Sequence, residues 1–235
     1  MNGKVAVITG GSRGIGFAIA QALVGEHCSV VITSRSAAQL QVIAKTFQAS
    51  DTTVLPCECD VRNESHVKRL FALVRKKFGA LDFLVNNAAI YGPAKPLAEV
   101  SLEGWRETLD INLTGMFLCT KYALPLMKAG SVIVNNLSVA AYQVFQNSAA
   151  YIASKQGALG LTNATREEVR ERGIRVVALV PGATDTDMWN QFWPGAPREK
   201  MMSPDDVANV VVNALKMPKG TSVDEIRIMP ASGKL

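Results

Sequence analysis

Histidine and cysteine are scarce in this chain, with two histidines and four cysteines among 235 residues. Cys28, Cys57, Cys59 and Cys119 form no C-x-x-C pair, and only His27 and His66 stand by to join them. No zinc constellation results, and the pattern suits reduced, buried or partly buried thiols in a cytoplasmic protein. Long apolar runs are missing too: apolar residues reach 48%, yet no stretch approaches the roughly 18 residues that would cross a bilayer. Met1-Asn2-Gly3-Lys4 leads straight into a strand-like run, so neither a signal peptide nor a transit segment is expected. Charge is thinly spread at 19%, with a formal net charge of +5. Arg75-Lys76-Lys77 is the only basic triplet, and it ends an amphipathic helical pattern, where the helix dipole favours cations. These absences exclude membrane-spanning helices, collagen-like repeats, disulfide scaffolds, disordered chains and a basic nucleic-acid surface.

What is present is alternation. Apolar runs of strand length, residues 5–9, 29–33, 53–57, 81–85, 131–135, 174–180 and 223–228, alternate with helix-period segments at 15–24, 37–48, 64–78, 102–128, 149–172 and 205–215. A break is expected near Thr114-Gly115, and Ser203 and Pro204 read as the cap and first residue of the last helix. Strands this apolar, each followed by a helix, describe an α/β fold: a doubly wound, seven-stranded parallel sheet with helices on both faces. The length admits one large α/β domain or two small ones. No linker divides the chain, so residues 1–235 read as a single domain.

Thr9-Gly10-Gly11-Ser12-Arg13-Gly14-Ile15-Gly16 lies between the first strand and the first helix. A turn free of Cβ atoms admits a pyrophosphate, and the helix N-terminus offers it N–H donors. The second strand ends in Thr33-Ser34-Arg35-Ser36, without the carboxylate that would bind a ribose 2′-hydroxyl. Ser34 and Arg35 instead suit a 2′-phosphate, and Arg13 closes on it from the other side. These residues predict NADP(H) as the cofactor. Tyr151 and Lys155, at i and i+4, share one helix face, and an ammonium beside a phenol lowers the phenol's pKa. Ser138 falls just past the fifth strand, at the edge where open α/β sheets bind ligands.

These features, with Asp60-Val61, Asn86-Asn87-Ala88-Ala89, Asn112, Pro181-Gly182 and Thr186-Asp187-Met188, resemble the short-chain dehydrogenase/reductase family over residues 2–230. The resemblance implies a single-domain Rossmann fold and hydride transfer between nicotinamide and a carbonyl or hydroxyl group. It implies Tyr151 as proton donor or acceptor and Ser138 on the substrate oxygen. Lys155 would hold the nicotinamide ribose and depress the Tyr151 pKa, while Asn112 would anchor a relay water. Cofactor contacts would come from Gly10, Ser12, Arg13, Gly14, Ile15, Gly16, Ser34 and Arg35 at one end. Asp60, Val61, Asn87, Ala88, Tyr151, Lys155, Pro181, Gly182 and Thr186 would supply the rest. Ala89 and Leu137 depart from residues common in the family, without removing a group the mechanism needs.

Residues 188–202, with Met188, Trp189, Phe192 and Trp193 followed by Pro194, Gly195 and Pro197, suit a lid over an apolar pocket or a subunit contact. Tyr91, Val139, Tyr142 and Phe145 are near the catalytic residues in sequence. Tyr142 and Trp189 join Ser138 and Tyr151 as candidate substrate contacts. No metal is expected. The leading expectation is a carbonyl reductase or alcohol dehydrogenase for small ketones, aldehydes or secondary alcohols. Reduction of a 3-oxoacyl thioester on an acyl carrier is the alternative, and an inactive dinucleotide-binding regulator the distant one. The resemblance also implies a homodimer or homotetramer with contacts from the helical regions 102–128 and 149–172.

Overall fold

β-branched and apolar residues at 5–8, followed by two glycines, give a short buried strand, β1 (Val5–Ile8), and the chain repeats that theme to its end. The computed structural model describes residues 1–48 and 51–233. After β1 come α1 (Gly14–Gly25), β2 (Ser29–Ser34), α2 (Ala37–Thr46), β3 (Val54–Glu58), α3 (Glu64–Phe78) and β4 (Phe83–Asn86). The second part holds α4 (Leu102–Leu109), α5 (Gly115–Ala123), β5 (Val132–Asn136), α6 (Ala149–Val169), β6 (Arg175–Pro181), α7 (Trp189–Phe192), α8 (Pro204–Leu215) and β7 (Glu225–Ile228). All seven strands join one parallel sheet in the order β3-β2-β1-β4-β5-β6-β7, as the alternation predicts.

Alternate side chains of each strand feed opposite faces. Ala6 and Ile8, with Val30 and Ile32, pack under α1 and α8, while Val5, Val7 and Val31 pack against α3 and α5. Each fully buried Val, Leu or Ile contributes about 1.5–3 kcal/mol relative to exposure, so both faces are firmly covered. Polar punctuation fixes the helix ends. Ser203 and Asp206 form a reciprocal capping box with Pro204 at the first helical position, and Gly173 stops the α6 region at φ +66.

Most boundaries move by a residue or more from the sequence reading, among them those of β4, β7 and the break in the long helix. β4 begins at Phe83 because Asp82 leaves the strand pattern to accept from Val5 N at 3.0 Å and Lys4 Nζ at 2.8 Å. β7 begins at Glu225 instead of 223. The break in the long helix is a π turn over Asp110–Thr114, centred on Asn112 and ending at Gly115. A Cβ on Gly115 would come within 2.6 Å of Val61 Cγ2, so glycine lets α5 close against the loop after β3.

The four cysteines are free, and burial pushes the Cys28 and Cys59 thiols up to about 12. Thiols so poorly ionised are inert.

Candidate active site

β1 and β4 are sheet neighbours whose following connections run to opposite sides, which opens a crevice at their carboxyl ends. Two adjoining cavities of about 380 and 290 Å³ lie there and share Gly10, Arg13 and residues 88–90. The glycine turn forms the floor where they meet. Gly10 and Gly14 take φ of +61 and +54, and a Cβ on Gly10 would approach Ala88 Cα to 2.8 Å. Gly16 is packed behind the wall, where a Cβ would meet Asn87 Nδ2 at 2.3 Å and Gly10 O at 2.7 Å. Asn87 ties this turn to β4, donating to Thr9 O and Gly10 O at 3.0 Å each. Arg13, Gly14 and Ile15 face the larger cavity at the start of α1, an arrangement that fits a pyrophosphate.

Ser12, Ser34, Arg35, Asp60, Val61 and Ala88, six of the candidate cofactor residues, line the smaller cavity. Gln39 joins them, a residue the sequence reading missed. The Ser12 and Ser34 hydroxyls both donate to its Oε1, at 2.8 and 3.1 Å. Ser34 is therefore already committed, and the Gln39 Nε2 donors are directed away from that bond. Asp60 is the single carboxylate on this wall. Arg62 bonds it at 2.7 Å and, with Arg35 nearby, holds its carboxyl below the usual range.

Ser138, Tyr151 and Lys155 all line the larger cavity. Ser138 caps the short turn Val139–Ala141, accepts from Ala140 N at 3.1 Å and turns its hydroxyl to the Tyr151 phenol. Tyr151 and Lys155 project from the first turns of α6; the Lys155 Nζ lies 5.6 Å from the Tyr151 ring and donates to Asn136 O at 2.9 Å. Burial pushes the Tyr151 phenol up to about 12, against the Ser138 hydroxyl, which lowers it. Burial also pulls the Lys155 amine down to about 7. Desolvation, which disfavours the charged form of either group, sets both directions, and the lowering that opposes it at Tyr151 comes from Ser138.

Asn112 is placed one layer behind the cavity. Its Oδ1 accepts from Ile90 N at 2.9 Å, while its Nδ2 donates to Ile90 O at 2.8 Å and Ser154 Oγ at 3.0 Å. Both amide hydrogens are spent, so a water relay here would fall to the residue's main-chain carbonyl. The π turn that presents Asn112 is a common device at functional sites. Asn136 was not singled out in the sequence, yet it accepts from Lys155 and donates from Nδ2 to Asn87 Oδ1 at 2.8 Å.

Pro181, Gly182 and Thr186 line the cavity after β6, and Met188, Trp189, Phe192 and Trp193 roof it. Trp189 Nε1 donates to Thr184 O at 2.9 Å, and Arg198 ties the roof to Asp185 Oδ1 and Thr186 O, both at 2.7 Å. Tyr91, Val139 and Phe145 complete the apolar wall. Tyr142 does not, which corrects the sequence reading. Its hydroxyl donates to Glu225 and the Arg227 guanidinium lies 4.4 Å over its ring, so an ion pair on β7 holds it outside the pocket. Among the described residues no three His, Cys, Asp or Glu side chains are grouped to hold a metal ion.

A family profile described as short chain dehydrogenase matches residues 4–196. The chain belongs to the short-chain dehydrogenase family. Among curated relatives, an uncharacterized oxidoreductase of Staphylococcus saprophyticus is 32% identical over 230 residues, 97% of each chain. An alcohol dehydrogenase from the archaeon Thermococcus sibiricus, complexed with 5-hydroxy-NADP, superposes with a TM-score of 0.91 at 32% identity, covering 99% of this short-chain dehydrogenase and 98% of that chain. A short chain dehydrogenase from Burkholderia cenocepacia in complex with NADP gives 0.89 at 31% identity, with 97% of each chain covered. The chain is thus an oxidoreductase of this family with a Rossmann fold.

Proposed function

We propose that this dehydrogenase is an NADP(H)-dependent carbonyl reductase or alcohol dehydrogenase acting on small apolar ketones, aldehydes or secondary alcohols. One observation carries the reading: Ser138, Tyr151 and Lys155 converge on the same cavity as Gly10 and Gly14, whose positive φ favours glycine in the turn. Arg13 and Arg35 flank the smaller cavity, whose one carboxylate is neutralised by Arg62, and this supports a 2′-phosphate there. The NADP-bound relatives support the same cofactor. When bound, the nicotinamide supplies or accepts the hydride.

The chain's own groups do the rest. Ser138 turns its hydrogen from the phenol to the substrate oxygen, where negative charge develops during reduction. Tyr151, buried and protonated at neutral pH, gives that oxygen its proton; in oxidation it takes one back. Lys155, anchored on Asn136 O, holds the ribose and favours the phenolate when it carries charge. Asn112 keeps the loop after β4 in register with α6. The roof residues exclude water and offer an apolar surface. Cofactor and substrate share one domain on this reading.

Reduction of a 3-oxoacyl thioester would use the same three groups. The test is NADPH and NADH oxidation across ketones, aldehydes and acyl thioesters. Turnover with small ketones or aldehydes and a preference for NADPH is expected. A clear preference for NADH, or turnover confined to acyl thioesters, would reject the corresponding part. We place the enzyme in the cytoplasm, a reading the four free thiols support, and expect a homodimer or homotetramer, which the exposed Leu102 and Phe117 on α4 and α5 support. Light scattering that shows a monomer at micromolar concentration would dispose of the assembly.

A further inference from the structure

Tyr151 is fixed on one side by its own helix, and on the other it meets a ring from a distant part of the chain. Tyr91, in the loop after β4, stacks on Tyr151 with centroids 4.8 Å apart and planes 26° from parallel. Phe192 of α7 stacks on Tyr91 at 3.8 Å and 8°. Two rings so close cannot share one face, so Tyr91 is sandwiched between them. Trp189 leans on Phe192 at 4.8 Å, and an unbroken row of rings runs from the roof to the phenol.

The Tyr91 hydroxyl is held as firmly as its ring. It bonds Ser148 Oγ, and Ser148 gives its one hydrogen to Gln146 O at 2.9 Å. Tyr91 must therefore be the donor in its bond to Ser148. Its proton is committed away from the cavity, which bars it from acting as a second acid. Ser148 immediately precedes α6. Tyr91 is thus keyed to the start of the helix that carries Tyr151, through its hydroxyl and through its face. Both tyrosines are buried, 9% and 8% exposed.

We propose that Tyr91 is a positioning residue for the Tyr151 phenol, fixing its direction toward Ser138 and passing the seating of Phe192 on to it. Nothing in the stack reacts. Stacking limits the tilt of the Tyr151 ring, and the Ser148 bond stops Tyr91 from sliding with it. The ring also keeps water from one face of the phenol and so helps burial hold it protonated. The titratable groups that face Tyr151 are Tyr91 from the β4 loop and Lys155 from α6. Arg13 and Asp187 line the same cavity from the glycine turn and the segment after β6. Neither of these belongs to the stack.

The inference rests on the proposed carbonyl reduction, and its test separates the two. Steady-state kinetics across pH, NADPH affinity and thermal unfolding are measured for wild type, Tyr91→Leu, Tyr91→Phe and Phe192→Ala. Tyr91→Leu should lower kcat about ten- to a hundredfold, the scale of an ångström-sized misplacement. Its NADPH affinity should stay within about twofold, because the change spares the glycine cradle. Water reaching the phenol should move the upper alkaline limb of carbonyl reduction, the one above the Lys155 ionisation, to lower pH, since Tyr151 must be protonated to act. Tyr91→Phe keeps the ring and loses one hydrogen bond, so kcat should stay within about fivefold of wild type. Phe192→Ala should shift the limb in the same direction by less.

A Tyr91→Leu enzyme that raises KM alone would show a substrate contact and overturn the proposal. An unmoved alkaline limb, or a Tyr91→Phe enzyme as impaired as Tyr91→Leu, would overturn it too. If Tyr91→Leu fails to fold, Phe192→Ala decides, and an unmoved limb there is fatal. Wild-type protein without NADPH-dependent carbonyl turnover would reject the parent reading instead.

Discussion

The two ends of the cleft are made of different materials. Around the glycine turn the surface is main chain and missing Cβ atoms: Gly10 opens onto Ala88, Gly16 backs onto Asn87, and Asn87 binds the turn's own carbonyls. At the other end the surface is side chains from separate stretches: Ser138 after β5, Tyr151 and Lys155 on α6, Tyr91 after β4, and the rings of the roof. A main-chain cradle has no group to mutate away and fails by steric intrusion. A side-chain constellation fails one chemical group at a time while its frame stands. On the proposed reading, damage to the first end should appear in cofactor affinity and stability, and damage to the second in turnover, with Lys155, which would hold the ribose, reaching both.

The sharpest way to break that division is at the phenol. Tyr151→Phe should abolish carbonyl reduction, and Ser138→Ala should lower kcat about a hundred- to a thousandfold, as loss of one oxyanion donor does. Rates above a few per cent of wild type in Tyr151→Phe would remove Tyr151 as the proton donor. Next in size is Arg35→Glu, read as the ratio of kcat/KM for NADPH over NADH. Replacing a charge-assisted phosphate contact by a carboxylate should lower that ratio about ten- to a hundredfold with little change in kcat for NADH. An unchanged ratio would leave Arg35 a bystander. Gly16→Ala tests the steric half, since the added methyl has no space beside Asn87 and Gly10 O. Overpacking of that kind costs about 1–3 kcal/mol; thermal unfolding should show it, together with weaker NADPH binding. Tyr142→Phe is the smallest, and kcat/KM should stay within about twofold, as expected of a surface site. A larger loss would return Tyr142 to the pocket.

The same division decides how much was legible in the sequence. The sheet, its strand number and the glycine turn rest on local periodicity and spacing, which a linear reading captures. Ser203 and Pro204 announced α8 for the same reason. Other features depend on pairing between distant parts. Asn136 matters because β5 lies beside β4, which brings its amide to Asn87 and its carbonyl under Lys155. Gln39 matters because α2 begins beside the glycine turn. Tyr91 and Tyr142 look alike in sequence, each an aromatic residue near catalytic motifs. Ser148 and Phe192 hold the first inside, while Glu225 and Arg227 hold the second outside. The π turn moved the expected helix break from 114–115 to 110–114, because Asn112 trades regular winding for its bonds to Ile90 and Ser154.

The dissociation constant of NADPH for Tyr151→Phe, titrated by cofactor fluorescence on the preparation that has lost turnover, tests the separation of cradle and chemistry most directly. One phenolic oxygen is removed at the side-chain end while the main-chain cradle is untouched, so affinity should stay within about fivefold of wild type. Affinity that falls in step with turnover would contradict the account.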